Sequence, residues 1–176
     1  PMTPIGNGSW EITLPGCHAL PHGSRVKVQV TAHGQSFDRI PLYIRRVVQD
    51  PENGAFDGQI WAPARAYVWK HPAPTRAPRP LLIYECHIGM ASEEGKVASF
   101  REFTRDVLPR IKQDGYTAVQ IMAVMEHPYY ASFGYQVTNF FAVSSRFGTP
   151  DELKALIDAA HGLGLSVLLD VIHSHM

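Results

Sequence analysis

Three titratable side chains, Asp170, His173 and His175, follow an apolar run in LLDVIHSHM, residues 168–176. A carboxylate beside such a run needs partners, because an unpaired charge is costly to bury. Asp170 therefore belongs either to a ligand site or to a structural ion pair in the core. The His-x-His pair has a spacing that zinc sites also use. The residue types alone leave a polar-ligand site and a metal site open.

Residues 81–176 alternate between apolar segments and helical patterns. The predicted strands are Leu81–Ile88, Thr117–Met125 and Leu165–Ile172, and each is too apolar to face water on either side. A helix interrupted at Pro109 is predicted between the first two strands. A second helix is predicted to begin at a capping box, Thr149-Pro150-Asp151-Glu152. This order predicts an α/β domain with a parallel sheet covered by helices.

Two architectures use such a unit, a doubly wound sheet and a (β/α)8 barrel. The turn after the first strand, HIGMASEEGK, is not a phosphate-binding GxGxxG loop. Polar residues follow the next two strands, with Glu126 and His127 after the second and Asp170 at the third. Active sites of barrels lie at these strand ends, so the barrel is favoured. A whole barrel needs roughly 250 residues, so we expect three of its eight strands here.

Residues 1–70 are predicted to be β. RVKVQVTA (25–32) alternates strictly between apolar and polar residues, as in a half-exposed strand. SWEITLP, PLYIRRVVQD and RAYVWK are predicted as further strands of a small antiparallel sandwich. A stiff proline-rich linker, HPAPTRAPRP (71–80), follows. The predicted organisation is therefore multidomain, with a partial β-sandwich at 1–70, a linker at 71–80 and part of a barrel at 81–176.

The composition argues against several classes of partner. Lys and Arg together number 16, as do Asp and Glu, so no charge excess points to nucleic acid or an anionic membrane. No apolar run approaches the ~18 residues of a membrane span. Cys17 and Cys86 are the only cysteines, and the start lacks a signal-peptide pattern, so a reducing cytoplasm is expected.

The segment EHPYYASFGYQVTNFFAVSSRFGTP (126–150) resembles the 1,4-α-glucan (glycogen) branching enzymes of glycoside hydrolase family 13. IYECHIG (83–89) is similar to their first barrel strand, and LLDVIHSH (168–175) to their third. The β part is similar to the later strands of a carbohydrate-binding module of family 48. The resemblance implies a partial sandwich of this kind followed by the first three strands of a TIM (β/α)8 barrel.

The resemblance implies substrate-binding residues. Asp170 and His175 stand at positions that hold the sugar at the cleavage subsite, and Tyr135 resembles the tyrosine that stacks on the same ring. Gly134 permits the turn that would present Tyr135. Ser174 stands where many amylases have Asn, which weakens the case for their calcium site, and no metal or other cofactor is expected.

Two further groups of residues have open interpretations. Glu126 and His127 either line the cleft or lie in a solvated loop. Trp10, Trp61 and Trp69 could form a glucan platform, although core packing is expected for at least two of them.

The resemblance also implies an activity that this chain would not complete. Branching enzymes transfer an α-1,4-glucan segment of glycogen or amylose to a 6-hydroxyl through a covalent intermediate, using two carboxylates ~5 Å apart. The nucleophile and the acid/base belong to later strands, so we expect no catalytic residue here and no activity of this chain alone. Bare apolar sheet edges predict self-association. The alternatives are a non-catalytic glucan-binding fragment and, less favoured, a metal-dependent amidohydrolase-type barrel using His173 and His175.

Overall fold

The computed structural model describes residues 1–16, 18–75 and 80–174. Cys17, most of the second half of the linker and His175 therefore lie outside the described residues. Residues up to 75 contain short antiparallel strands, and residues from 80 onward contain a parallel sheet with helices. Among the described residues, no helix has the length and apolar character of a membrane span.

Seven strands in the first part form three small antiparallel sheets. The strands are β1 (Thr3–Gly6), β2 (Ser9–Glu11), β3 (Arg25–Val26), β4 (Val28–Ala32), β5 (Gln35–Arg39), β6 (Val47–Gln49) and β7 (Phe56–Gln59). The pairs β1–β2 and β4–β5 are separate two-stranded ribbons, and the third sheet has the order β3-β7-β6. Only the third sheet buries much apolar surface, because the two ribbons are largely exposed. The described strands thus resemble separate ribbons more than a closely packed sandwich.

Two expectations for this part are wrong. The segment RAYVWK (65–70) forms no strand, because the backbone of Lys70 bonds to the Asp158 carboxylate instead of another strand. Core packing does not hold for two of the three tryptophans, since Trp10 is 62% exposed and Trp69 50% exposed. Trp61 is half-buried. Trp10 lies on the two-stranded ribbon β1–β2, every residue of which is exposed.

The second part is built on a three-stranded parallel sheet. The second part contains five described strands, which are β8 (Ile83–Cys86), β9 (Ala118–Ile121), β10 (Met125–Glu126), β11 (Asn139–Val143) and β12 (Ser166–Leu169). β8, β9 and β12 form the parallel sheet in the order β12-β9-β8, and β10 pairs with β11 as an antiparallel hairpin. Strands consecutive in the parallel sheet are therefore neighbours in space, and their carboxyl ends meet at one edge.

The first helix changes its geometry where Pro109 prevents a regular helix. It begins as α1 (Phe100–Glu102), widens into a π-helical turn over Phe103–Val107, and continues as α2 (Leu108–Gln113). Pro109 has no N–H, and its ring would clash with the carbonyl four residues earlier. The wide turn, in which Leu108 N–H bonds to Phe103 O, avoids this clash. The predicted interruption at Pro109 is confirmed.

Both helical segments begin at capping boxes. Thr149 caps α3 (Pro150–Gly162) together with Glu152, as predicted. Ser99 and Glu102 form a second capping box, which the sequence analysis missed. The helices bury apolar side chains against the parallel sheet. The largest fully buried apolar side chains of this core are Phe100, Phe103, Phe147, Ile88, Leu108, Ile111, Ile121, Leu156 and Leu165.

Two groups of polar contacts join the first part to α3 and to the residues just before it. Asp158, on the buried face of α3, accepts hydrogen bonds from Tyr67 Oη at 2.8 Å and from the backbone N–H of Lys70 and of His71. The His71 ring nitrogen Nδ1 lies 3.1 Å from the same carboxylate. Near the other end of α3, Arg46 donates to Gly148 O at 2.9 Å. The linker is thus bound to the helix at its first residue.

We predict that Asp158→Asn destabilises the chain at pH 6 but has much less effect near pH 2. Burial acts to raise the pKa of Asp158, but hydrogen bonds from Tyr67, Lys70 and His71 outweigh it and hold that pKa at about 2. A folded-state pKa below the ordinary 3.8 contributes stability above pH 4, and that contribution is lost as the pH falls toward 2.

Urea unfolding followed by circular dichroism, at one fixed protein concentration and at several pH values, measures this difference. Asp151→Asn is the control, because that carboxylate is on the same helix and pairs with the exposed Lys154. An Asp158→Asn effect that is equal at pH 6 and pH 2.5 would show that the carboxylate charge is not what stabilises the junction.

Candidate functional site

Asp170 and Tyr135 meet at the carboxyl end of the parallel sheet. Asp170 follows β12, and its backbone N–H still bonds to Ile121 O of β9 at 3.0 Å. Tyr135 Oη donates to Asp170 Oδ2 at 2.8 Å. This hydrogen bond, together with burial, raises the pKa of Tyr135 to about 12. The phenol is therefore neutral and donates to one carboxylate oxygen, and no other described residue donates to the Asp170 side chain.

The turn that presents Tyr135 has little freedom. Tyr135 N–H bonds to Ser132 O at 3.0 Å, and Phe133 adopts a left-handed conformation with φ 54°. Gly134 follows with φ +88°, and a Cβ atom there would lie 2.2 Å from the carbonyl oxygen of Ala123. Only glycine satisfies both the backbone angle and this close approach. The predicted glycine turn before Tyr135 is present.

Glu126 and His127 line no open cleft and lie in no solvated loop, because both are fully buried. The Glu126 carboxylate accepts from Ser145 N–H at 2.7 Å and lies 3.8 Å from Arg146 Nη1. Burial raises the pKa of Glu126, and Ser145 and Arg146 oppose that shift. The sequence analysis did not predict this burial, because the partners of Glu126, Ser145 and Arg146, lie about 19 residues further along the chain.

His87 and His127 are both buried, and both rings lie beside the Phe147 ring. His87 Nδ1 accepts from Met90 N–H at 3.2 Å, so its proton is on Nε2. His127 Nδ1 lies 2.9 Å from Met125 O, to which it donates, so its Nε2 is an acceptor. Burial lowers the pKa of both rings, and both are neutral near pH 7. His87 also packs edge-on against Phe133 at 5.4 Å, which supports the turn from below.

Glu85 is a further candidate site residue that the sequence analysis missed. It lies on β8 beside Gln120 of β9, whose side-chain amide is 3.3 Å from its carboxylate. Its charge adds to the upward shift in the pKa of Tyr135, which places it near the Tyr135–Asp170 pair. The signal that could have found it is the same as for Asp170, a carboxylate interrupting an apolar strand. Glu85, Gln120, Tyr135 and Asp170 thus form one polar group above the sheet.

Two predicted site residues, His173 and His175, remain to be placed. His173 is exposed, and His175 lies outside the described residues. Among the residues that the structure does describe, there is no group of three His, Cys, Asp or Glu side chains placed to hold a metal ion.

A separate aromatic groove lies between the first part and α3. Trp61 and Trp69 line it, as do Tyr67, Tyr43 and Phe141. Tyr43 and Phe141 are in contact, with ring centroids 4.9 Å apart. Trp10 is not part of this groove, so two of the three tryptophans share a surface and the third stands apart.

Comparison with known proteins identifies a group of relatives. Residues 104–176 match the alpha-amylase catalytic domain family. The chain is 51% identical to the 1,4-alpha-glucan-branching enzyme of Rhizophagus irregularis and 52% identical to that of Dictyostelium discoideum, each over 99% of its own length. It is 56% identical to 1,4-alpha-glucan-branching enzyme 2-2, chloroplastic/amyloplastic, of Arabidopsis thaliana. The chain spans 26%, 26% and 22% of these three proteins.

Solved structures show the same fold. A protein assigned as an alpha amylase from Salmonella typhimurium superposes with a TM-score of 0.77 at 27% identity, covering 97% of this chain and 27% of the other. Pullulanase type I from Bacillus subtilis superposes with a TM-score of 0.78 at 22% identity, covering 99% of this chain and 28% of the other. The parallel sheet and its helices are therefore part of an amylase-type barrel.

We predict that Gly134→Ala costs about 2 kcal/mol more in unfolding free energy than Gly115→Ala. Both glycines have φ +88°, so the backbone strain of an added Cβ is the same. Gly115 has no atom within 4 Å of that Cβ, whereas Gly134 has the Ala123 backbone at 2.2 Å. Chemical denaturation of the two variants measures the difference. Equal losses would mean that the Tyr135 turn can move away from β9 at no cost.

Proposed function

We propose that this chain is part of a 1,4-alpha-glucan-branching enzyme and forms part of its α-1,4-glucan substrate site. The proposal is supported by its identity to such enzymes, about a quarter of whose length it spans. The enzyme it would serve transfers a glucan segment of glycogen or amylose to a 6-hydroxyl to make an α-1,6 branch. The observation that carries the proposal is the Tyr135–Asp170 hydrogen bond at the carboxyl ends of β9 and β12.

The proposed roles follow from the chemistry of these side chains. Asp170 is fixed by Tyr135 through one carboxylate oxygen, so its other oxygen can accept a hydrogen bond from a sugar hydroxyl. The Tyr135 ring is held by a rigid turn, which suits stacking on the face of a sugar. His175 would add a hydrogen bond to the same sugar. Binding of this kind contributes to catalysis when it strengthens as charge develops in the transition state.

The proposal includes the place of these elements in a larger fold. β8, β9 and β12 would be the first three strands of a (β/α)8 barrel, which is supported by their parallel order and by the polar group at their carboxyl ends. Residues 1–70 would be a partial carbohydrate-binding module of family 48, with residues 71–80 as linker and 81–176 as the barrel part. A cytoplasmic location is supported by the free thiol of buried Cys86.

A second candidate, non-catalytic glucan binding, is favoured by the aromatic groove. Trp61, Trp69 and Tyr67 could contact a glucan there without any part of the catalytic machinery. The relatives are named as enzymes, so this candidate is the weaker one. Titration with maltoheptaose separates the two, because binding at the substrate site perturbs the NMR signals of Tyr135 and binding in the groove perturbs those of Trp69.

We predict that His175→Ala lowers kcat by about 10²–10³ while KM changes little. The test uses a chimera in which this chain replaces the corresponding segment of the Dictyostelium discoideum branching enzyme, which is 52% identical. His173→Ala is the control, because His173 is two residues away and exposed. A rise in KM alone would assign His175 to uniform substrate binding. No effect on either constant would remove it from the site.

We also predict that the 176-residue chain alone neither branches nor hydrolyses amylose. The reaction needs two carboxylates ~5 Å apart, and the resemblance assigns both to segments that follow the third barrel strand. The iodine spectrum of amylose incubated with highly purified protein is the measurement. A spectral change that Asp170→Ala abolishes would place the catalytic pair within these 176 residues.

We further predict that the 176-residue chain self-associates. Within the described residues, β8 and β12 each pair only with β9, and Ile83 and Leu169 on these edge strands are 43% and 44% exposed. Unpaired apolar edges recruit other chains. Size-exclusion chromatography with light scattering measures the molar mass, and Ile83→Lys with Leu169→Lys should shift the chain toward monomer. A monodisperse monomer of 19.6 kDa for the unchanged sequence would contradict this.

A further inference from the structure

We propose that Arg146 is a positioning residue that fixes the segment from Glu126 to Tyr135, here called the substrate loop, so that Tyr135 reaches Asp170. Its functional meaning rests on the role proposed above for Tyr135. The contact itself is a property of this chain and can be tested without any glucan.

The guanidinium group of Arg146 binds the start of the substrate loop. Nη1 donates to His127 O at 2.5 Å, and Nη2 donates to Pro128 O at 2.7 Å. Among the described residues, these two carbonyls have no other hydrogen-bond donor. Two successive carbonyl groups suit the planar guanidinium, whose N–H groups have a fixed geometry that a lysine cannot reproduce.

The charge of Arg146 also matches the one buried acid of the loop. Glu126 is fully buried, and Arg146 Nη1 is 3.8 Å from its Oε1. The adjacent Ser145 N–H bonds to the other carboxylate oxygen at 2.7 Å. The dipeptide Ser145-Arg146 therefore holds Glu126, His127 and Pro128 at once, through a carboxylate and two backbone carbonyls.

The other end of the loop is held by close backbone packing at Gly134. Gly134 lies against the Ala123 carbonyl, and Tyr135 N–H bonds back to Ser132 O. Between the two ends the chain makes two successive turns, closed by Ser132 N–H to Tyr129 O and by Phe133 N–H to Tyr130 O. Such turns fix local geometry but not their position on the sheet. Thr138 binds Glu126 O, the first carbonyl of the loop, and Arg146 binds the next two, those of His127 and Pro128. The loss of Arg146 should therefore free the chain beyond Glu126 and displace Tyr135 from Asp170.

The test reads the Tyr135–Asp170 hydrogen bond directly. A rapid jump to pH 11, with absorbance at 295 nm, measures tyrosine ionisation before alkaline unfolding. The absorbance of the same variant carrying Tyr135→Phe is subtracted each time, which leaves the contribution of Tyr135. With a pKa of about 12, Tyr135 is ionised in about a tenth of molecules at pH 11. Asp170→Asn removes the negative charge of the acceptor, which is what holds the proton on Tyr135, and sets the largest change to be expected.

We expect Arg146→Gln to reproduce most of the Asp170→Asn change, so that the ionised fraction of Tyr135 rises several-fold. Arg146→Lys keeps the charge beside Glu126 but not the two-carbonyl geometry, and we expect an intermediate fraction. Arg110→Gln is the matched control. It removes an arginine that donates to a backbone carbonyl, Asp106 O, elsewhere on the surface, and should leave Tyr135 unchanged.

The outcomes separate positioning from a purely structural role. NMR spectra of core methyl groups, such as those of Leu156, report whether each variant is folded before the pH jump. A folded Arg146→Gln chain with the Tyr135 ionisation of the unchanged protein overturns the proposal, even if its unfolding free energy is lower. If Arg146→Gln does not fold, Arg146→Lys decides, and an unchanged Tyr135 ionisation in that variant overturns the proposal equally. Neither result depends on whether the chain binds glucan.

Discussion

The buried carboxylate of Asp158 is the interaction on which the association of the two parts depends. Burying a charge is unfavourable unless every lone pair finds a donor, and here the donors all come from one short stretch of the other part, Tyr67 to His71. That stretch has no strand partner and no helical hydrogen bonds of its own. The carboxylate and the stretch therefore satisfy each other. With Arg46 on Gly148 O near the start of α3, the helix is held close to both of its ends.

Segments distant in sequence are joined by Arg46 and Arg146 through backbone carbonyls and by Arg101 through a carboxylate. Arg46 and Arg146 each donate to a backbone carbonyl of a segment distant in sequence, and Arg46 also lies over the Trp61 ring at 5.3 Å. Burial lowers the pKa of Arg46, and the nearby Glu152 and Glu126 oppose this shift. The third, Arg101, pairs with Glu152 of the Thr149 capping box. At the amino-terminal end of α3, the charge of Glu152 therefore offsets the positive charges of Arg46 and Arg101.

The parts of the fold that sequence predicted well are those fixed by local chemistry. The capping box at Thr149, the interruption at Pro109 and the glycine turn before Tyr135 each depend on residues within five positions, and each is present. The parallel strands follow from their apolar composition. Errors arise where the deciding partner is far away. RAYVWK alternates like a strand but binds Asp158 nearly 90 residues later. Glu126 follows a strand as an exposed loop residue would, but it is buried and accepts a hydrogen bond from Ser145 N–H.

The wide turn over Phe103–Val107 has a consequence for how the helix can vary by insertion and deletion. A π-helical turn contains one residue more than the regular helix around it, so it shifts the register of everything that follows by one position. Phe100 faces the core before this turn, Phe103 and Val107 within it, and Leu108 and Ile111 after it. A homologous helix that lacks this proline can be one residue shorter here and still present the same apolar face to the sheet. A single-residue gap in an alignment at this point would therefore mark a change in helix geometry and leave the packing of the sheet intact.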